Sequence, residues 1–259
     1  ETQAPEVVNA RRMALELLLS DHLGDCLAPC GLGCPAGLDI PLMIRQIVAG
    51  DLAGATETVL ARIPLPGVLG RVCPAPCEGT CRRGTVDQPV AIRLLKRWVA
   101  DADRSAPTWR PEVARQTGRR VAIVGAGPAG LSAAYYLRLL GHEATLIDER
   151  AQPGGRLLEI APWELPPDVL ADDVERVLAL GVEFQPETQL GRDVTLAQLQ
   201  RHFDAVLIAI GEADEATAEA VGLPWGHRGF EADRHTHAGP LEAVFVAGSS
   251  LSPSHMAVR

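Results

Sequence analysis

Residues 119–149, RRVAIVGAGPAGLSAAYYLRLLGHEATLIDE, decide the fold of this chain. Residues 121–124 are a short apolar run rich in β-branched side chains, which predicts a strand buried on both faces. A glycine-rich turn follows at residues 125–130, and the pattern after it predicts a helix over 131–140 and a second strand over 144–147. Strand, turn, helix and strand in this order predict a βαβ unit of a doubly wound parallel sheet.

The turn carries the G-x-G-x-x-G pattern of dinucleotide-binding proteins, at Gly125, Gly127 and Gly130. The first glycine permits a tight turn, the second lets a pyrophosphate approach the backbone, and the third allows close packing of helix on strand. Free N–H groups at the helix start bind the anion, and an acid about 20 residues further on binds a ribose hydroxyl. Asp148 directly follows the second strand and is the predicted ribose ligand, with Glu149 as the alternative. The competing interpretation is a βαβ turn that binds no ligand.

The composition restricts the class of protein. With 259 residues and 47% hydrophobic side chains, the chain can form a sizeable core, and we expect two domains. The net charge of −9, without a polybasic run, argues against nucleic acid or an anionic membrane as a partner. No apolar run reaches the roughly 18 residues that span a bilayer, so we expect no membrane span. Because the chain begins with Glu1 and stops at Arg259 inside a predicted helix, we expect a piece of a longer polypeptide.

The cysteines are confined to one part of the chain, which predicts a dedicated module rather than a disulfide framework. They form two C-x3-C-x3-C runs, each with a Cys-Pro step: Cys26, Cys30, Cys34, Cys73, Cys77 and Cys81. Thiolates are the ligands of iron–sulfur clusters, so this pattern favours such clusters. Zinc is the main alternative, although its structural sites usually use C-x2-C pairs with four ligands each. Cysteines without a metal are the third possibility.

The remaining pattern predicts an all-α domain followed by an α/β domain. Helices are predicted over residues 5–20, over 40–63 with a break near Gly50, and over 90–101. We place the α-helical domain at residues 1–105, a polar linker with two prolines at 106–118, and a Rossmann-like domain at 119–259. Trp163 and Trp225 are expected to pack inside the protein. No nucleophile–base pair is found, so we predict no catalytic side chain.

The motifs of both domains resemble one known family. They are Cys30-x3-Cys34-Pro, GRVCPAPCEGTC at residues 70–81, PVAI at 89–92, GAGPAG at 125–130, PGG-x-L at 153–157 and FDAVLIAIG at 203–211. The chain resembles the glutamate synthase small subunit family, which includes the N-terminal part of dihydropyrimidine dehydrogenase and the large subunit of the ferredoxin-dependent transhydrogenase. The resemblance covers nearly the whole chain.

This resemblance implies FAD rather than NAD in the second domain and two [4Fe–4S] clusters in the first. It implies that Cys26, Cys30 and Cys81 hold one cluster, while the second cluster is bound by the other three cysteines, Cys34, Cys73 and Cys77. The implied FAD-binding residues are Gly125, Ala126, Gly127, Pro128, Ala129, Gly130, Asp148, Glu149, Gly154, Gly155, Arg156, Leu157, Gly211, Gly248, Ser249 and Ala257.

The first cysteine run is one ligand short, because the relatives carry four cysteines there. His22, which precedes Cys26 by the same spacing, is the expected replacement, since this segment resembles the histidine-ligated cluster segment of respiratory complex I and related hydrogenases. Neutral imidazole can replace thiolate on iron. The alternative is a histidine that only caps or decorates the loop.

The second cluster also departs from the family, because Lys96 stands where the relatives place Gln or Glu. An ammonium group has no lone pair to offer iron. Three alternatives remain open: an iron without a protein ligand, a three-iron cluster, or a fourth ligand from Glu78, Asp87 or Gln88.

The nicotinamide domain of the relatives has no counterpart here. Only residues 212–241 separate Gly211 from Glu242, about the length of one βαβ unit, and no second G-x-G-x-x-G is present. We therefore expect no NAD(P)H site in this chain. Ser249 replaces an Asp of the relatives, which predicts weaker FAD binding.

The resemblance and the motifs predict an electron-transfer flavo-iron–sulfur subunit of an oxidoreductase complex. Its expected partners are other redox subunits, namely a ferredoxin-like protein, a diaphorase or a dehydrogenase. Clusters and thiolates need reducing conditions, so the expected location is the cytoplasm. Two alternatives remain: a glutamate-synthase-type NAD(P)H reductase whose nicotinamide domain is not in this chain, and a scaffold subunit that has lost its cofactors.

Overall fold

The computed structural model describes residues 2–20 and 28–253 of the chain. The helices are α1 (Pro5–Ser20), α2 (Pro29–Leu32), α3 (Ile40–Val48), α4 (Leu52–Leu60), α5 (Pro66–Val72), α6 (Pro76–Gly79), α7 (Ile92–Ser105), α8 (Pro128–Leu139), α9 (Pro167–Leu178), α10 (Leu196–His202) and α11 (Glu215–Val221). The strands are β1 (Arg120–Val124), β2 (Glu143–Ile147), β3 (Glu183–Gln185), β4 (Ala205–Ile208) and β5 (Val244–Val246). Short 3-10 helices lie at Arg82–Thr85, Gly155–Glu159 and Gly248–Ser250.

The second domain is a parallel sheet with helices on both faces, which confirms the predicted Rossmann-like fold. The strand order is β3-β2-β1-β4-β5, and all neighbours are parallel. Alternate β1 side chains enter different cores, Ile123 with α8 and α9, and Val124 with α10 and α11. The chain leaves β1 toward β2 and returns beside β1 as β4, so the carboxyl ends of β1 and β4 form the switch point where such sheets bind ligands.

The first domain is all-helical, as predicted, and its helices start at defined caps. Asp39 and Asp51 accept hydrogen bonds from the backbone N–H of Leu42 (3.0 Å) and Gly54 (2.9 Å) at the starts of α3 and α4. Gly50 has a φ of +73° and separates the two helices, as the sequence predicts. The buried core includes Met43, Val59 and Val99 among its members.

One burial prediction is wrong, and the apolar side chains of α1 remain uncovered. Those that the helical pattern makes available for burial are 43–66% exposed: Val8, Met13, Leu17 and Leu18. Trp163, expected to pack inside, is 85% exposed in the loop before α9. Trp225, by contrast, packs edge-to-face on the buried Phe230 with ring centroids 5.8 Å apart, as predicted.

The two domains meet through buried polar contacts between α9 of the sheet domain and α5 and α7 of the helical domain. The Asp173 carboxylate on α9 accepts a hydrogen bond of 2.8 Å from the Val68 N–H in the first turn of α5. Leu65, the residue before that helix, provides no side-chain cap, so the cap comes from the other domain. Arg176 forms a 2.9 Å ion pair with Asp103 on α7, and this pair is almost completely buried.

Candidate functional sites

Three of the cysteines line one pocket of the helical domain. Cys34 follows α2, Cys73 ends α5, and Cys77 lies in α6, so three separate elements deliver their sulfurs. Between the last two, Ala75 has a left-handed conformation (φ 53°) that is unfavourable for an L-residue. This bend lets the short Cys-Pro-Ala-Pro-Cys loop turn both of its cysteines toward the pocket.

Two cations from α7 complete the pocket, Arg93 and Lys96. The Lys96 side chain is only 5% exposed, and it forms no ion pair with a carboxylate in the part of the chain that the structure describes. Burial lowers the pKa of Lys96, while the neighbouring thiols of Cys73, Cys34 and Cys77 in their ionised form oppose that shift. The pocket therefore favours an anionic occupant.

The surroundings of the Cys77 thiol disfavour its ionised form. Burial, followed by the charges of Cys34 and Cys73, raises its pKa to about 11, and Lys96 opposes the rise. Without a metal this thiol is protonated at neutral pH, so a metal must displace the proton when it binds the sulfur.

None of the three carboxylate or amide side chains considered as a fourth ligand lines this pocket. Glu78 accepts a hydrogen bond of 2.8 Å from the Arg93 backbone N–H and so caps α7. Asp87 is exposed and is held by Arg83, whose Nε donates to it at 2.7 Å. Gln88 is exposed as well. Lys96 is thus the side chain that occupies the expected ligand position.

Cys30 and Cys81 lie beside a contact that joins the two cysteine runs. The Thr80 hydroxyl lies 3.0 Å from the Pro29 carbonyl oxygen and donates to it. A Cβ atom on Gly33 would lie 2.4 Å from the same hydroxyl oxygen, so only glycine permits this approach. Backbone N–H groups, that of Val90 first, lower the pKa of Cys81, which favours its thiolate.

The described residues contain no group of three His, Cys, Asp or Glu side chains suited to a single metal ion. A zinc site needs its sulfurs about 2.3 Å from one ion, and therefore close together. The cysteine ligands of a cluster bind separate irons and need not converge on one point.

The glycine-rich turn of the second domain packs at the carboxyl ends of β1 and β4. Gly125 has a φ of +106°, and a Cβ atom there would lie 2.2 Å from the Ala209 carbonyl oxygen, just after β4. A Cβ atom on Gly130 would lie 1.8 Å from the Gly125 oxygen. Both glycines thus have the roles that the sequence predicts for them. Gly127 precedes Pro128, the first residue of α8, where the helix has free N–H groups.

The loop after β2 closes over the same turn. The Gly154 N–H donates to the Ala126 carbonyl oxygen at 2.8 Å, and a Cβ atom on Gly155 would lie 2.8 Å from the Gly127 Cα atom. The glycine-rich turn and the loop after β2 therefore meet here without side chains between their backbones. This absence of side chains lets a ligand approach the backbone of both segments. Leu157, expected to line the flavin, has its side chain in the hydrophobic core instead, at 4% exposure.

Asp148 lies at this turn with both carboxylate oxygens engaged. One accepts the Ala126 N–H at 2.6 Å, and the other accepts the Arg150 N–H at 2.8 Å. An ionised carboxylate has about four acceptor positions, so it can still accept a ribose hydroxyl. Glu149 next to it is exposed and makes no hydrogen bond to the turn. Of the two acids, Asp148 is the one whose carboxylate contacts the glycine-rich turn.

The other predicted flavin residues surround this edge of the sheet. Arg156 forms a 2.8 Å ion pair with Glu212 beyond β4. Gly211 follows β4, and its carbonyl oxygen accepts a hydrogen bond of 2.9 Å from Ser250. Gly248 and Ser249 begin the short 3-10 helix after β5. Three predicted site residues lie outside the described residues: His22, Cys26 and Ala257.

The segment between β4 and β5 is described throughout and contains one helix, α11, and no named strand. It therefore contains no second βαβ unit. The residues that the structure does describe fit a dinucleotide such as FAD, because the glycine cradle, the helix N-terminus and the acid after β2 lie together at the switch point.

The comparisons with known proteins agree with this class of nucleotide-binding oxidoreductase. The chain belongs to the pyridine nucleotide-disulphide oxidoreductase family, whose model matches residues 90–258. Residues 23–108 match the model of dihydropyrimidine dehydrogenase domain II, 4Fe-4S cluster. The predicted resemblance to the glutamate synthase small subunit family is confirmed, and so is the prediction of an oxidoreductase with an iron–sulfur domain and a flavin- or nucleotide-binding domain.

Three relatives illustrate the similarity. The NADP(+)-dependent formate dehydrogenase subunit beta of Moorella thermoacetica is 42% identical over 226 residues, covering 78% of this chain and 32% of that protein. The NADPH-Fe(3+) oxidoreductase subunit beta of Geobacter sulfurreducens is 38% identical, covering 78% and 31%. The NAD-dependent dihydropyrimidine dehydrogenase subunit PreT of Salmonella typhimurium is 31% identical, covering 87% and 57%. The chain thus spans about a third of the first two relatives and just over half of the third.

Sequence reasoning missed Arg93, Thr80 and Asp173. For Arg93 the sequence carried a signal. It lies three residues before Lys96 in the first turn of a helix, where the helix dipole disfavours cations, so two cations on this face indicate a nearby anion. Thr80 and Asp173 had none, because each acts on a residue distant in sequence. Among the described residues, no helix has the length and apolar character required to cross a membrane.

Proposed function

We propose that this chain is an electron-transfer flavo-iron–sulfur subunit. Electrons pass within it between FAD and two [4Fe–4S] clusters, and from these cofactors to or from partner redox subunits. The observation that carries the proposal is the shared pocket of Cys34, Cys73 and Cys77 in a domain that is docked on a dinucleotide-binding sheet. When bound, FAD exchanges electrons singly or in pairs, while each cluster exchanges one at a time. A chain that holds both cofactors therefore connects two-electron transfer at FAD with one-electron transfer at the clusters.

In this proposal Cys34, Cys73 and Cys77 bind one cluster, and Cys26, Cys30 and Cys81 bind the other with His22 as its fourth ligand. The three sulfurs of the first set line one pocket, which supports their grouping. The contact of Thr80 with Pro29, next to Cys81 and Cys30, supports the second.

FAD would be held at the edge of the sheet by the groups that fit it. The N–H groups at the start of α8 bind the pyrophosphate, and Asp148 binds a ribose hydroxyl. The backbone of Gly154 and Gly155 packs on the glycine-rich turn and holds it in place.

The names of the relatives indicate the kind of partner to expect. The three named relatives are subunits of a formate dehydrogenase, an Fe(3+) oxidoreductase and a dihydropyrimidine dehydrogenase, and their names include NADP(+), NADPH or NAD. Since the described residues contain one glycine-rich nucleotide-binding turn, at residues 125–130, we place the nicotinamide site and the substrate site outside them. We propose the cytoplasm as the location of the complex. A second candidate, an NAD(P)H reductase whose nicotinamide domain belongs to the same polypeptide, is favoured by the partial coverage of these relatives. The intact mass of the native polypeptide distinguishes the two, because the second requires a mass far above 27.6 kDa.

Anaerobic purification tests the proposal. The expected product contains about eight irons, as two four-iron clusters, and one FAD per chain. The variant Cys77→Ser should lose about half of the iron and keep its FAD, whereas the control variant Ser105→Ala, at an exposed residue at the end of α7, keeps both. A colourless product without iron or flavin would contradict the proposal, and would favour a scaffold subunit.

A further inference from the structure

Lys96 is the only lysine in the sequence. The chain has 24 lysine and arginine residues, so all the others are arginine. This one lysine is also 5% exposed, whereas the arginines form the ion pairs of the described surface. Lysine differs from arginine in presenting a compact, strongly hydrated point charge. At every other basic position this chain has arginine. In the buried pocket, where only a small cation fits, it has the ammonium group of lysine.

Among the residues that the structure describes, none of the side chains lining the pocket of Lys96 is a carboxylate that could balance its charge. The side chains that line its pocket are apolar, apart from Arg93 and the three cysteines Cys34, Cys73 and Cys77. Arg93 adds a second positive charge and donates to the Cys73 carbonyl oxygen at 3.2 Å. A buried charge is costly unless an opposite charge lies near it. The balancing negative charge must therefore come from the thiolates and whatever they hold.

The position of Lys96 on its helix leads to the same conclusion. It lies near the N-terminus of the 14-residue helix α7, whose first turn carries no acidic residue. The helix dipole makes this end positive, which disfavours a cation there. The dipole, Arg93 and Lys96 together produce a positive field toward the pocket of the three cysteines. Such a field stabilises an anion more strongly as its negative charge increases.

We propose that Lys96 is the counter-ion of the cluster bound by Cys34, Cys73 and Cys77, and that its charge, in place of a fourth protein ligand, raises the reduction potential of that cluster. This inference rests on the proposed function. When the cluster accepts one electron from reduced FAD or from a partner redox subunit, its negative charge increases by one, the donor is oxidised by one electron, and no bond forms or breaks. Lys96 stabilises the reduced form more than the oxidised form, and the cluster accepts electrons more readily than one without the ammonium group.

The test is a redox titration of the anaerobically purified protein, followed by electron paramagnetic resonance. In Lys96→Met, which keeps the length and removes the charge, the ratio of reduced to oxidised cluster at a fixed potential should fall at least tenfold. A tenfold fall equals 59 mV for one electron. Lys96→Arg keeps the charge and should stay within about threefold of the wild type. An unchanged titration of Lys96→Met, with both clusters present, overturns the inference and leaves the proposed function intact.

A second measurement separates a counter-ion from a ligand. Because Lys96 is the only lysine of this sequence, lysine labelled with ¹⁵N at Nζ marks a single side chain when this sequence is expressed. We expect weak ¹⁵N coupling to the reduced cluster in pulsed resonance spectra. Coupling as strong as that of a directly bound nitrogen overturns the inference. So does a cluster that is lost in both Lys96→Met and Lys96→Arg but restored in Lys96→Gln, since an amide can bind iron and carries no charge. Wild-type protein without a cluster refutes the proposed function itself.

Discussion

Replacing Asp173 by Asn should make the stability of the protein less dependent on pH. Asp173 is 4% exposed, and burial raises its pKa from 3.8 to about 7, against the opposing effects of the Val68 N–H and Arg176. In the folded state the protonated carboxyl is thus favoured, so the contribution of Asp173 to stability is complete below about pH 4 and is lost as the pH rises through 7. At about 1.4 kcal/mol per pKa unit, the loss amounts to about 4 kcal/mol.

The variant Asp173→Asn removes the ionisation and keeps an oxygen that accepts the Val68 N–H. We expect equal stability of the two proteins near pH 4 and a gain of about 4 kcal/mol for the variant at pH 8. Urea unfolding at a series of pH values, followed by circular dichroism, measures this difference. The control is Asp172→Asn on the same helix, an exposed partner of Arg104, whose effect should stay below about 1 kcal/mol. A variant that is less stable than the wild type at pH 8 would refute the reasoning.

The other predictions concern the two cofactor sites. Asp148→Ala should weaken FAD binding at least about tenfold, equal to about 1.4 kcal/mol, in flavin titrations of the apoprotein, while Glu149→Ala stays near the wild type; equal losses in both variants would contradict the assignment. Gly155→Ala should lower the FAD content of purified protein, because its Cβ atom would press on the glycine-rich turn at 2.8 Å; full flavin content would show that the cradle is not needed. Gly33→Ala should destabilise the helical domain by about 1–3 kcal/mol in chemical unfolding, because it displaces Thr80; unchanged stability together with unchanged iron content would refute that role.

The sheet domain was predictable because its signals are local. The apolar run at residues 121–124, the glycines and the run at 144–147 are found as strand, turn and strand. The helix between them starts at Pro128 rather than at the predicted residue 131, since proline at the first helical position is already pre-organised. The boundaries of local elements were thus accurate to within a few residues.

Burial and long-range contacts were harder to predict. The side chains of α1 have a helical apolar pattern, yet the pattern cannot show what covers them, and in this structure they are exposed. The cap that Asp173 provides for α5 joins residues 105 positions apart, and neither residue carries a local signal. For Lys96 the sequence showed which residue stands at the ligand position, but only the fold shows that it is buried there without a carboxylate.

Helix α5 belongs structurally to both modules. Its first turn is closed by a side chain of the sheet domain, and its last residue leads directly into Cys73. Seven residues of helix form a stiff rod about 10 Å long. A chimera that transplants the helical module onto a different nucleotide-binding domain must therefore also supply an acid facing α5, or the position of the Cys73 sulfur is no longer fixed. In this protein, the geometry of the cysteine pocket is partly encoded in the neighbouring domain.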